Sequence, residues 1–242
     1  MTATATVQVV AVPTDGVPAP VVARLAGLLS DEERARRDRF VRPVDADTYV
    51  VAHALVRRTL SAYGPTAPDA WRFTTNAHGC PTVADDQAGR PRLAFNLSHT
   101  HGLVAVAVAR GHRVGVDVER VTRVVMDGVA ERHFAASEVG ELRALPAEAR
   151  PRAFFEYWTL KEAYIKARGM GLAIPLGDFA FHLRPPAPPA IAFVEGFDDR
   201  PERWQFWQAW PTADHRLSLA IERAGTDLPV RLAVASAESL CP

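Results

Sequence analysis

Cysteine is scarce in this chain of 242 residues: there are two, Cys80 and Cys241. So few thiols leave no disulfide framework to expect, and they fit a reducing compartment. No uninterrupted apolar run reaches the ~18 residues that a membrane-spanning helix needs. The opening, Met1-Thr2-Ala3-Thr4-Ala5-Thr6, has neither the basic start nor the apolar core of a secretory signal. An excess of one charge is also missing. The 28 basic and 28 acidic residues give a formal net charge of zero, which argues against a general nucleic-acid binder. These absences lead us to expect a cytoplasmic protein with no membrane or nucleic-acid partner; a monomer is expected as well. What is present, 48% hydrophobic and 23% charged residues, matches an ordinary globular protein. The length allows one large domain or two compact halves.

Hydrophobic periodicity places a strand at Val7 to Val12 and a helix at Val21 to Leu29. Ser30 with Glu33 forms a capping-box pattern that opens an arginine-rich helix. A long amphipathic helix covers Asp45 to Tyr63 and stops at Gly64-Pro65. Trp71 to Thr75 reads as a strand, and Asn76 to Arg92 as a turn-rich loop. The β-branched runs Leu103 to Val108 and Val114 to Val118, joined through Gly111-His112, suggest a hairpin. Helical patterns follow at Val125 to Phe134, Ser137 to Leu145 and Ala147 to Arg168, the last ended by Gly169 and Gly171. Ser137 reads as a helix N-cap with Glu138 in the first turn. Strands are expected at Phe179 to Leu183, Ala190 to Val194, Trp204 to Trp210, Leu217 to Glu222 and Val230 to Ala235. The proline tract 185–189 is expected to be a hairpin loop. No residue-level repeat is visible.

Two segments carry chemistry. On a strand, Asp117 and Glu119 project to one face. On a helix, Glu162 and Lys166 lie one turn apart and share a face. Three carboxylates and a lysine brought together suit a hard cation such as Mg²⁺ with phosphate groups around it. Taken separately, the same residues also read as a solvated strand end and a helix-surface ion pair worth a few tenths of a kcal/mol.

Gly115-Val116-Asp117-Val118-Glu119 and Trp158-Thr159-Leu160-Lys161-Glu162-Ala163-Tyr164-Ile165-Lys166 resemble the two signature motifs of the 4′-phosphopantetheinyl transferases. Phe95-Asn96-Leu97-Ser98-His99 is similar to a third motif, of the Sfp-type branch, and Glu33 to Phe40 resembles that branch's basic N-terminal segment. The motifs occur in the family's order, and the resemblance covers roughly residues 25 to 185. It implies an α+β fold, a pseudo-dimer of two similar halves. Each half would be a small antiparallel sheet packed with helices, residues 1–110 and 111–242, with the active site at their junction.

The resemblance also implies an activity: moving the 4′-phosphopantetheine arm of coenzyme A to a serine of an apo acyl, peptidyl or polyketide carrier protein, with release of 3′,5′-ADP. On this reading Asp117, Glu119 and Glu162 hold Mg²⁺, Glu162 is the base, and Lys166 holds the pyrophosphate and steadies the leaving group. Ser98, His99, Arg36, Lys161, Gly79 and Cys80 would contact coenzyme A. Lys161, about 100° round the helix from Glu162, would reach a different part of it. Glu138 matches an acidic position of the family. One departure is Gly79-Cys80-Pro81, where the family often has Gly-Lys-Pro; Arg90 is a candidate substitute for the missing cation. Met126, Arg132 and Phe134 are candidate carrier contacts. A pyrophosphatase and a coenzyme A-binding module that has lost catalysis are the rival readings.

Overall fold

The computed structural model describes residues 6–125, 128–171, 174–223 and 225–241. Its first half runs β1 (Val7–Pro13), α1 (Ala19–Ala26), α2 (Asp31–Arg37), α3 (Pro43–Ser61), β2 (Phe73–Thr75), β3 (Pro81–Val83), β4 (Leu93–Thr100) and β5 (Leu103–Arg110). The second runs β6 (Val114–Arg120), α4 (Val129–His133), α5 (Ala136–Ala144), α6 (Arg150–Arg168), β7 (Phe179–His182), β8 (Ala190–Phe193), β9 (Trp204–Thr212) and β10 (His215–Glu222), with β11 (Val230–Val234) beyond.

A duplication that is invisible residue by residue shows in the topology. β5 pairs antiparallel with both β1 and β4, and β10 pairs antiparallel with both β6 and β9. Each half has a 19-residue helix, α3 or α6, and a two-stranded hairpin, β2–β3 or β7–β8. The fold is thus the α+β pseudo-dimer that the resemblance implied. The chain does not divide cleanly at residues 110 and 111, however. β11 returns to pair in parallel with β1, which makes the first sheet β11-β1-β5-β4.

The expected hairpin across Gly111-His112 is a correction. β5 and β6 belong to different sheets, and the connection between them is where the chain crosses from one half to the other. The hairpin forms one strand earlier, β4 to β5, with Gly102 at φ +87° in its turn. A run of β-branched residues gives strand propensity but says nothing about which neighbour a strand will choose. The proline tract does close a hairpin, β7–β8.

Alternation of side chains builds three apolar layers. Val7, Val9, Leu103, Ala105 and Ala107 of the first sheet meet Val114, Val116, Val118, Leu217 and Leu219 of the second, so the sheets stack face to face. The outer face of the first sheet, with Val104, Val106 and Val108, packs under α1 and α3. The outer face of the second packs under α6. None of the described helices is long and apolar enough to cross a membrane.

Gly115 sets the approach of α6 to β6. A Cβ at this position would stand 2.1 Å from Ala163 O and 2.3 Å from Ala167 N, so helix backbone lies against strand backbone. Gly115→Ala should therefore force α6 off β6 and cost more than about 3 kcal/mol, since the clash is with backbone that cannot rotate away. Urea unfolding measures this; a loss within about 0.5 kcal/mol, the range of an inert surface change, would contradict the packing.

Candidate functional site in the seam between the halves

The site lies where β4 and β6 run side by side. No backbone ladder joins these strands among the described residues. Two side chains bridge them instead: Asn96 Oδ1 accepts from Val116 N–H at 2.9 Å, and Ser98 Oγ from Val118 N–H at 3.3 Å. Residues of alternating sense on β6 then divide their work. Val116 and Val118 face the core between the sheets, while Gly115, Asp117 and Glu119 face the other way, toward α6.

Asp117 is the centre. Its Oδ1 accepts from Lys166 Nζ at 2.6 Å and from Ser98 Oγ at 2.9 Å. Its Oδ2 is buried and has no hydrogen-bond partner. An unsatisfied buried carboxylate oxygen is costly and calls for a missing partner. Glu119 accepts from Thr100 at 3.2 Å and Arg123 at 3.3 Å. Burial, reinforced by Asp117, pushes its carboxyl above the ordinary value. Glu162 is pushed up to about 7 by burial, then by the charges of Asp117 and Glu119, with Lys166 opposing. Among the described residues no three His, Cys, Asp or Glu side chains form a ready cage for a metal. The donor chemistry still fits a hard cation: an orphaned Asp117 oxygen beside two carboxyls that disfavour one another's ionisation.

The chain's only two lysines are Lys161 and Lys166, both on α6 and both in the motif, against a background of arginine. A lysine is a compact charge with three donors, which an arginine fork does not replace. The two have opposite fates. Lys166 gives one proton to Asp117 and one to Ser98, at 2.8 Å, and makes no third hydrogen bond among the described residues. Lys161 does not reach the cofactor side as expected. It is fully buried and spends three protons on Glu138 Oε2 at 2.7 Å, Leu176 O at 2.8 Å and Phe179 O at 2.7 Å. Glu138, also fully buried, accepts in addition from Phe181 N–H and Ala135 N–H. The pair is an internal tie between α5, α6 and β7. The cap position of α5 belongs to Ala135, and Ser137 lies inside the helix.

The remaining expected contacts spread along the first half. Ser98 gives its proton to Asp117 and accepts from Lys166 and Val118, so its hydroxyl positions the site, and a phosphate contact would have to displace one of these bonds. His99 is exposed beside it, and its imidazole is held below the ordinary value by its crowded setting and by the charges of Lys166 and His53, with Asp117 and Asp45 opposing. His53 carries the line onward: its ring meets that of Tyr49 at a tilt, centroids 4.0 Å apart, and it bonds Glu33 at 2.8 Å. Glu33 completes the capping box with Ser30 and pairs with buried Arg57. Arg36, exposed on α2 near Tyr49, makes no ion pair among the described residues. Gly79 has φ +78° in the β2–β3 turn, and burial raises the half-buried Cys80 thiol, which disfavours the nucleophilic thiolate. Phe134 is a core residue stacked on Phe154, which corrects its reading as a carrier contact; Arg132 is exposed. Met126 lies outside the described residues.

Fold and seam together define a class: a duplicated α+β protein whose acidic, lysine-bearing site is made where its halves meet. Comparison with known proteins makes this specific. A family model described as 4′-phosphopantetheinyl transferase, N-terminal, matches residues 20–111, and one described as the 4′-phosphopantetheinyl transferase superfamily matches residues 113–220. The transferase HetI of Nostoc sp. is 35% identical, over 62% of this chain and 63% of its own. The transferase psf-1 of Bacillus pumilus is 32% identical over 67% of each chain. Sfp of Bacillus subtilis is 29% identical over 66% of this chain and 69% of its own. The chain belongs to the 4′-phosphopantetheinyl transferase family, in its Sfp-type branch. It spans 63% of the length of HetI and 62% of a second cyanobacterial relative, from Synechocystis sp.. A holo-[acyl-carrier-protein] synthase of Thermotoga maritima aligns with a TM-score of 0.37 at 24% identity, over 46% of this chain and 62% of that one, too slight a likeness to bear on the fold.

The site makes two predictions. Lys161→Ala should leave buried Glu138 without its counter-ion, and the carbonyls of Leu176 and Phe179 without their donor, and cost about 3–5 kcal/mol of stability. Urea unfolding reads this; a stable variant whose only defect is weak coenzyme A binding would restore the contact role. Glu162→Gln should do the opposite in metal-free protein. A folded carboxyl that holds its proton to about pH 7, against 4.5 for the ordinary group, makes the native state bind more protons in that window, so stability falls as pH rises through it. Removing the group should raise stability at pH 8 by about 1–2 kcal/mol, or ~2–8 °C in melting temperature, with no gain at pH 4.5. Thermal melts in chelator decide; a less stable variant at pH 8 would contradict the crowding of charge.

Proposed function

We propose that this protein transfers the 4′-phosphopantetheine arm of coenzyme A to a serine hydroxyl of an apo carrier protein and releases 3′,5′-ADP. The observation that carries the reading is the convergence of Asp117, Glu119, Glu162 and Lys166 in one seam, with Asp117 Oδ2 buried and unpartnered. The names of its relatives, 4′-phosphopantetheinyl transferases, support it.

Each demand of the reaction has a residue. The serine oxygen attacks phosphorus, the bond to the 3′,5′-ADP oxygen breaks, and the serine proton needs an acceptor. Glu162, whose carboxylate would be ionised beside the cation, would take that proton directly or through a water as general base. Lys166 has a proton to spare for the pyrophosphate and meets the charge that grows on the leaving phosphate. Asp117, Glu119 and Glu162 would hold Mg²⁺, which when bound polarises and orients the phosphoryl oxygens. His99 and Arg36 would meet the phosphates of the nucleotide end.

The carrier face is read from a groove of roughly 600 Å³ beside the site. Its walls include Val121, Val125, Val129, Leu142 and Phe154, and Arg123, Arg143 and Arg150 also line it. Apolar walls with arginines suit the acidic helices of acyl, peptidyl or polyketide carriers of secondary metabolism. We take the protein to act as a cytoplasmic monomer with no membrane or nucleic-acid partner.

Intact-mass measurement of several apo carriers after incubation with protein, coenzyme A and Mg²⁺ tests the proposal. Each modified carrier should gain one phosphopantetheine. Asp117→Ala should fold normally by circular dichroism and transfer at less than about one-hundredth of the wild-type rate. Full activity of that variant in saturating Mg²⁺ would contradict the site, and 3′,5′-ADP formed without any carrier would point to a pyrophosphatase.

A further inference from the structure

One contact between the halves lies outside the seam and outside the motifs. It starts at Asn76, in the turn between β2 and β3. Asn76 Oδ1 accepts from His78 N–H and Cys80 N–H, both at 2.9 Å. Its backbone N–H donates to Cys80 O, and its backbone carbonyl accepts from Gly79 N–H, both at 3.0 Å. One residue thereby fixes the turn that carries Gly79 at φ +78°. Asn76 Nδ2 then reaches across to the other half and donates to Gly169 O at 2.8 Å. Gly169 is the left-handed C-cap of α6, at φ +65°, and its N–H closes the last turn on Ile165 O and Lys166 O. A Cβ on Gly169 would stand 3.2 Å from Asn76 Nδ2, so the cap is shaped around this amide.

We propose that Asn76 is a clasp: it couples the β2–β3 turn of the first half to the end of the helix that carries Glu162 and Lys166, and so positions the turn for coenzyme A. This rests on the proposed transfer reaction, in which that turn meets the nucleotide end. The chemistry of the amide is specific. Only a side chain with both an acceptor and a donor organises the turn and reaches the helix cap at once. Cys80 supplies no cation to hold the nucleotide, so the order of the turn carries more of the binding. A turn fixed beforehand has less freedom to lose when a ligand arrives.

Substitution separates the two functions of the amide. Asn76→Asp keeps the acceptor that shapes the turn and loses the donor to Gly169 O. Asn76→Ala loses both. The residue is exposed, and both variants are expected to fold. Two readouts apply: the Kd of coenzyme A by calorimetry with Mg²⁺, and amide hydrogen exchange. In both variants we expect a three- to ten-fold weaker Kd, a raised KM for coenzyme A with kcat changed less than two-fold, and faster exchange at residues 76–80 and 165–169. An Asn76→Asp variant that behaves as wild type would overturn the clasp, because turn shape alone would then account for the residue. Two silent variants would overturn it as well. If exchange rises in both segments but the wild-type protein binds no coenzyme A, the clasp stands and the transfer reading falls.

Discussion

The site depends on how closely one helix lies on one strand. Gly115 has no side chain, and the backbone of α6 at Ala163 and Ala167 occupies the space a methyl would need. Once those backbones touch, the positions of Glu162 and Lys166 follow from the helical repeat, and those of Asp117 and Glu119 from the strand alternation. Thr159 adds a second lock further along α6, with its hydroxyl 2.7 Å from Ser218 Oγ on β10. Ser218 is the register partner of Asp117, so helix and sheet are pinned in the same row that holds the central carboxylate.

Electrostatic cost accumulates in that row. Three carboxyls face one lysine with a free proton, and two of the three are pushed up by burial and by their neighbours. The two lysines of α6 show how position decides the outcome. Lys161 meets acceptors for its three protons inside the protein and becomes structural, whereas Lys166, at the open seam, has two and remains available. A cation and a pyrophosphate entering the seam would relieve crowding that the free protein carries. Sites that store strain of this kind are where function is expected to lie.

Much of this was legible in the sequence. Most strands and helices were placed to within a few residues because their periodicity is local, and the capping box at Ser30 and Glu33 formed as read, but β3 and β4 were not read as strands: β3 is three residues long inside a turn-rich stretch, and Asn96, Ser98 and His99 break the apolar run of β4. The convergence of Asp117, Glu119, Glu162 and Lys166 was legible from two periodicities and a family resemblance. What failed was non-local. The partner of β5 could not be read from its apolar run, nor the return of β11 to the first sheet. The helical position of Lys161 gave its angle but not what surrounds it. Ser137 looked like a cap, yet the carboxylate of Glu138 serves Ala135 N–H instead. The duplication was hidden because two halves can keep one topology with different side chains, provided burial alternates in the same way. Asn76 carried no signal at all, since its importance lies in a carbonyl of the other half.

The central claim is that the charge gathered between β4, β6 and α6 is a binding site for a divalent cation together with the pyrophosphate of coenzyme A. Calorimetric titration of coenzyme A into the wild-type protein, once in Mg²⁺ and once in chelator, tests it most directly. The account predicts binding at least tenfold tighter in Mg²⁺, because the cation fills the unpartnered face of Asp117 and offsets the repulsion between carboxyls and phosphates. Equal affinity in the two buffers, or no binding in either, would contradict it.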